Sequence, residues 1–104
     1  MANPLAGEVA VVINGERHVC KLTLGALAEL EEGLAGGSMV ALVQRFEAGG
    51  YTGRDVMAVI VAGLRGGGWT GTSDDLLTAE IADGPLGAAR IAATLLVRAF
   101  SPAA

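Results

Sequence analysis

The segment EVAVVINGERHVCKL, residues 8–22, decides the fold of this chain. Residues 8–13 and 16–22 flank Asn14-Gly15, a pair that readily adopts the positive φ angles of a two-residue type I′ turn. We therefore predict an antiparallel β-hairpin over about residues 7–22. The turn sets the expected cross-strand pairs, which are Ile13–Glu16, Val11–His18, Val9–Cys20 and Glu8–Lys21.

This register gathers the apolar side chains of the hairpin on one face. An isolated two-stranded hairpin cannot keep such a face away from water, so helices from the rest of the chain must pack on it. Leu22 lies where the second strand passes into the first predicted helix, and we expect it to contribute to both elements. The face comprises Val9, Val11, Ile13, Cys20 and Leu22.

Four to five short helices follow the hairpin in the predicted fold. Thr23, Ser38 and Thr52 are each suited to cap a helix N-terminus, and Asp55 completes a capping box with Thr52. Pro85 fits the first turn of the last helix. The third helix is apolar all round, which predicts that it is central and buried. The expected boundaries are about residues 24–34, 39–48, 53–65, 74–82 and 85–100.

Length and composition indicate one α+β domain over residues 1–104, with apolar surface left for a partner. The 104 residues are enough for one hydrophobic core and too few for two. Hydrophobic residues make up 52% of the chain and charged residues 17%, whereas soluble domains usually carry about a quarter charged residues. Because so few charged residues are available to cover its surface, we expect the domain to bury part of that surface against another protein.

Charge and hydropathy argue against nucleic acid and membranes as partners. The formal net charge is −4 and the seven basic residues are scattered, whereas nucleic acid requires a clustered basic patch. The longest apolar run without a charge, residues 56–64, is much shorter than the roughly 20 residues of a membrane span. With a single cysteine and no signal-peptide pattern at the start, we expect a cytoplasmic protein.

The sequence offers little catalytic or metal-binding chemistry. His18 and Cys20 point to one face of a strand, but no orienting third group is near them in sequence and no second histidine exists. Gly66, Gly68 and Gly71 match the dinucleotide-binding pattern G-x-G-x-x-G, yet they follow a predicted helix instead of a strand. We therefore predict no enzyme activity, no cofactor and no metal site.

Several apolar residues are candidates for contact with another protein. Trp69, in a glycine-rich loop, either folds back onto the core, which is the favoured interpretation, or anchors a partner. The last helix carries only Arg90 and Arg98 as charges, so it has more apolar surface than one packing contact needs. The second helix adds an amphipathic stripe. The candidate protein-binding residues are Met39, Val43, Phe46, Trp69, Leu96, Val97 and Phe100.

Three stretches carry a resemblance to a known family: GEVAVVING at residues 7–15, LTLGALAELE at residues 22–31 and AGLRGGG at residues 62–68. From about residue 7 to residue 100, the chain resembles small proteins of gene transfer agents and related siphophage-like tail clusters. This family is described both as tail assembly chaperones and as tail tube proteins.

The resemblance implies a protein-binding role in tail morphogenesis. Such chaperones coat the long, largely helical tape-measure protein, keep it soluble and help bring tail tube subunits to it. The implied partners are the tape-measure protein, the tail tube protein and further copies of this chain, in the cytoplasm of a bacterial host. The alternative is a structural tail component that stays in the particle and forms rings through the open edges of its hairpin.

Overall fold

Within the described residues, one β-hairpin is followed by five helices. The computed structural model describes Asn3 and residues 6–34 and 38–100 of the chain. The predicted fold class, an α+β domain with an N-terminal hairpin and short helices, is confirmed. The elements are β1 (Glu8–Ile13), β2 (Glu16–Lys21), α1 (Leu24–Gly33), α2 (Met39–Ala48), α3 (Gly53–Gly66), α4 (Ser73–Leu76) and α5 (Gly84–Phe100).

The hairpin turns at Asn14 and Gly15, whose φ angles are 50° and 80°. Positive φ at both central positions gives the turn a twist that matches the twist of the strands. The predicted cross-strand pairs are all observed, from Ile13–Glu16 beside the turn to Glu8–Lys21 at the open end. The five side chains of the predicted apolar face are each at most 8% exposed, so the predicted register and the buried face are both confirmed.

Three helices begin at the predicted capping residues. The Thr23 hydroxyl accepts a hydrogen bond from the amide of Ala26 at 3.1 Å, and the Ser38 hydroxyl accepts one from Ala41 at 3.2 Å. In α3 the Thr52 hydroxyl accepts from the Asp55 amide, while the Asp55 carboxylate accepts from the Thr52 amide at 2.9 Å. Each cap satisfies a backbone N–H that has no partner within its helix.

Helix α3 lies at the centre of the domain, as predicted. It packs against β2, α1, α4 and α5, and it buries Val59, Ile60 and Leu64 almost completely. Gly63 allows a close approach to α5, because a Cβ there would lie 2.8 Å from Leu95 Cδ1. Helix α5 also packs on β1, so α3 and α5 together cover the apolar face of the hairpin.

The predicted helix over residues 74–82 is wrong in its extent. Only Ser73–Leu76 is helical, and the following chain runs beside β1, where Ile81 forms an isolated bridge with Ile13. The Asn14 amide donates to the Glu80 carbonyl at 2.8 Å, and the Ala82 amide donates to the Val12 carbonyl at 3.0 Å. These hydrogen bonds pair backbone N–H and C=O groups at the outer edge of β1. A helix through residues 80–82 could not form them. The other predicted boundaries agree with the structure to within one residue.

Candidate protein-binding surface

Helix α2 and the C-terminal half of α5 lie side by side and enclose an apolar groove, which we name the α2–α5 groove. The structure thereby brings together six of the predicted candidate residues, which are separated in sequence by about half the chain. Sequence reasoning missed Val40 and Ala93, which also line the groove; their spacing of three from Val43 and Leu96 is the signal that could have found them. The apolar lining comprises Met39, Val40, Val43, Phe46, Ala93, Leu96, Val97 and Phe100.

The groove has a buried floor and exposed apolar rims. Leu96 is 4% exposed and belongs to the core, whereas Val97 and Phe100 on the same helix are 64% and 51% exposed. On the α2 side Val40 is 66% exposed, and Glu47 supplies a charged rim. Apolar side chains that are exposed singly are ordinary, but a contiguous set beside a groove is typical of protein-binding surfaces.

The position of α2 is set by one buried side chain and by contacts at its C-terminal end. Leu42 is fully buried against the core. Arg45 forms a bidentate ion pair with Asp55 of α3, with Nε–Oδ2 and Nη2–Oδ1 distances of 2.9 Å. The rings of Phe46 and Tyr51 stack with centroids 4.9 Å apart. Hydrogen bonds from the Arg45 guanidinium hold the pKa of the Asp55 carboxyl below its usual value, despite its burial.

Trp69 does not line the α2–α5 groove. It lies in the loop after α3, where its amide donates to the Leu64 carbonyl at 2.9 Å. Its half-buried ring packs against the core and over Gly71, where any Cβ would overlap the ring. This position corresponds to core packing, the favoured interpretation of Trp69 from the sequence.

Cys20 and the glycine-rich loop, the candidates for catalysis and for dinucleotide binding, both take part in packing. Cys20 is fully buried, and burial raises the pKa of its thiol to about 12, which keeps it neutral and weakly nucleophilic. The loop that follows helix α3 begins at Gly67, which lies directly against β2. Across residues 6–34 and 38–100, His, Cys, Asp and Glu side chains form no cluster of three or more that could hold a metal ion. No helix in those ranges combines the length and apolar character needed to cross a membrane.

Both edges of the hairpin are partly covered within the molecule. On the β2 edge, Gly66 and Gly67 lie so close to the carbonyl oxygens of Lys21 and Val19 that a Cβ at either glycine would overlap them. On the β1 edge, the Arg98 guanidinium donates to the Glu8 carbonyl, and residues 80–82 pair with the other end. Addition of a strand from another chain would have to displace these contacts.

Comparison with known proteins agrees with the resemblance read from the sequence at the level of the family. Searches of curated proteins and of solved structures find no significant match to the chain. The model of one protein family, described as phage tail tube protein, GTA-gp10, matches residues 6–102. The match spans the hairpin and all the helices described above. The chain belongs to this family, and its role lies in the tail of a phage or gene transfer agent.

Proposed function

We propose that this protein is a tail assembly chaperone that binds helical segments of the tape-measure protein through the α2–α5 groove. The observation that carries the proposal is the exposure of Val97 and Phe100 beside the groove, in a chain with only 17% charged residues. A cytoplasmic factor with such a surface gains solubility when an apolar partner covers it. The chaperone would also help to bring tail tube subunits to its client, the tape-measure protein.

The shape of the surface supports a helix as the bound element. A groove between two helices accepts an amphipathic helix, whose apolar residues at positions i, i+3, i+4 and i+7 enter it. Leu96 would contact such a stripe from below, while Val40 and Phe100 would contact it from the two rims. A tape-measure protein with long helical stripes would offer many equivalent segments, so several copies of the chaperone could bind along it.

The proposal assigns the protein no catalytic step. Its proposed function is to cover apolar surface of the tape-measure protein, and this needs neither an activated nucleophile nor a bound metal ion. Binding is expected to occur in the cytoplasm of the host cell, before the tail is complete. Contacts between copies on the same client are part of the proposal, and the covered hairpin edges favour helical surfaces over strand addition for those contacts.

Co-expression with the tape-measure protein of the same gene cluster tests the proposal. The wild-type chain should raise the soluble fraction of the client, and a Val97→Glu/Phe100→Glu variant should lose most of that effect, because charge in the groove opposes apolar contact. The matched control is Leu24→Glu/Leu86→Glu, which adds the same charge at two exposed positions outside the groove lining. A client equally soluble with and without the wild-type chain would contradict the chaperone function.

A second function, a structural component of the tail, agrees with the description of the family as phage tail tube protein. Quantitative mass spectrometry of purified particles separates the two functions. A chaperone should be absent from the particles or present only in traces. A structural component should be present in a fixed ratio to the other tail proteins.

A further inference from the structure

We propose that α2 is a hinged helix that opens separately from the rest of the domain. Two contacts, which we name the clasp, hold it closed: the Arg45–Asp55 ion pair and the Phe46–Tyr51 ring stack. Such an opening would regulate the α2–α5 groove, because α2 forms one of its walls. The opening itself does not depend on the proposed chaperone function, whereas its consequence for client binding does.

Burial is distributed unequally between α2 and the other long helices. Leu42 is the one residue of α2 that is fully buried, whereas α3 buries six residues, among them Val59, Ile60 and Leu64. Helix α5 buries six residues, among them Leu95 and Leu96. Because local opening costs in proportion to the buried contacts that it breaks, α2 can leave the core at a lower cost than α1, α3 or α5.

The clasp joins parts of the chain that are close in sequence. Arg45 and Phe46 belong to the last turns of α2, while Tyr51 and Asp55 follow within ten residues. Between them Gly49 has a φ angle of 77°, and both Gly49 and Gly50 are exposed. Glycine adopts many backbone conformations at low cost, so this pair suits a hinge. Opening about it would break the clasp and the burial of Leu42 without separating α3 from α5 or from the hairpin.

Opening would change the groove in a defined way. Met39, Val43 and Phe46 would move away from Leu96 and Phe100, so the space between the walls would widen. The underside of α2, which carries Leu42, would become accessible at the same time. A client helix could then contact more apolar surface than the closed groove offers, and this part of the inference rests on the proposed function.

Hydrogen–deuterium exchange of the full chain, without any client, tests the opening. Amides of residues 43–48 should exchange at least about tenfold faster than amides of residues 59–64, after correction for intrinsic rates. Arg45→Met should accelerate exchange of α2 by a further factor of about ten and leave α3 and α5 within about twofold of the wild type. This variant retains the Asp55 carboxylate that caps α3.

Two further variants serve as controls. Glu29→Gln removes another single ion pair, between Glu29 and Arg65, and should leave exchange of α2 unchanged. Arg45→Lys keeps the charge but loses the bidentate geometry, so it should accelerate exchange of α2 less than Arg45→Met does. This milder variant keeps the test valid if Arg45→Met fails to fold. Equal exchange of α2 and α3 in the wild type, or equal acceleration of α2, α3 and α5 by both Arg45 variants, would overturn the hinge. If the chain failed to solubilise the tape-measure protein, the conclusion that α2 opens separately would still stand, because the exchange experiment contains no client.

Discussion

Gly66 and Gly67 let the end of α3 lie directly against the outer edge of β2. At either position a Cβ would overlap a backbone carbonyl oxygen of the strand, so only glycine allows the two elements to approach this closely. Neither position has a positive φ, and the requirement is therefore for space and not for an unusual backbone conformation. Packing explains these two members of the glycine-rich stretch without any bound phosphate.

Gly66→Ala should destabilise the fold by about 2 kcal/mol, because the added methyl group must push α3 away from Lys21. Gly53→Ala, at the other end of the same helix, meets no atom within 4 Å and should be neutral or stabilising by less than about 1 kcal/mol. The free energy of unfolding in urea measures both changes. Similar destabilisation by the two substitutions would contradict the role assigned to Gly66.

At the scale of elements, residues 80–82 act as a short cover for the outer edge of β1. Asn14 connects this cover to the hairpin turn, since its amide donates to the Glu80 carbonyl and its side-chain oxygen accepts from the Glu80 amide at 2.9 Å. The chain then reverses through Asp83 and Gly84, both with positive φ, and enters α5. Asn14 therefore stabilises both the hairpin turn and the connection that leads into α5.

Two substitutions separate these roles of Asn14. Asn14→Gly keeps the positive φ and loses the side-chain acceptor, so it should cost about 1 kcal/mol of unfolding free energy. Asn14→Ala loses the acceptor and keeps a Cβ at positive φ without the short polar side chain that makes this conformation tolerable for asparagine, which should add about 1 kcal/mol more. Urea unfolding of both variants measures the difference. Equal stability of the two variants would show that the turn conformation contributes little.

At the scale of the whole molecule, the domain consists of a rigid part and one helix attached to it by few contacts. The hairpin, α3 and α5 share one core, and α1 packs on α3. The clasp that secures α2 contains a carboxylate, so the attachment of α2 should depend on pH. Asp55 is the buried charged residue among those described and the other buried side chains are apolar, so acid should act on the buried part of the domain through Asp55.

Acid should therefore release α2 before the rest of the domain unfolds. Pairing with Arg45 lowers the pKa of Asp55 in the folded state, so the stability that the pair contributes is present above the unfolded pKa, near 3.9, and is lost as the pH falls through the folded value. Below about pH 4, NMR signals of the Tyr51 ring, which stacks on Phe46, should shift while the Trp69 indole signal stays in place.

The control for this acid response is Arg45→Met, which removes the pair. In that variant the Tyr51 signals should already resemble the released state at neutral pH and should change little on acidification. If the Tyr51 and Trp69 signals of the wild type moved together in one transition, α2 would belong to the same cooperative unit as the core.

Local patterns in the sequence determined the elements and most of their boundaries. Asn14-Gly15 specifies its turn because the backbone angles of two residues suffice to set the strand register. Thr23, Ser38 and Thr52 specify helix starts because a cap forms within three residues of chain. The predicted fold class and buried hairpin face needed no knowledge of distant contacts, since alternation and capping are short-range properties.

Tertiary structure alone decided where the chain departs from those patterns and which apolar residues meet. Residues 80–82 leave the predicted helix because bonds to Val12 and Asn14, far away in sequence, replace the bonds of a helix. The groove exists because α2 lies beside the end of α5, a placement set by the Leu42 contact and the clasp. Periodicity marked Val43 and Leu96 as apolar positions on their helices, but only packing of the whole chain placed them in the same groove.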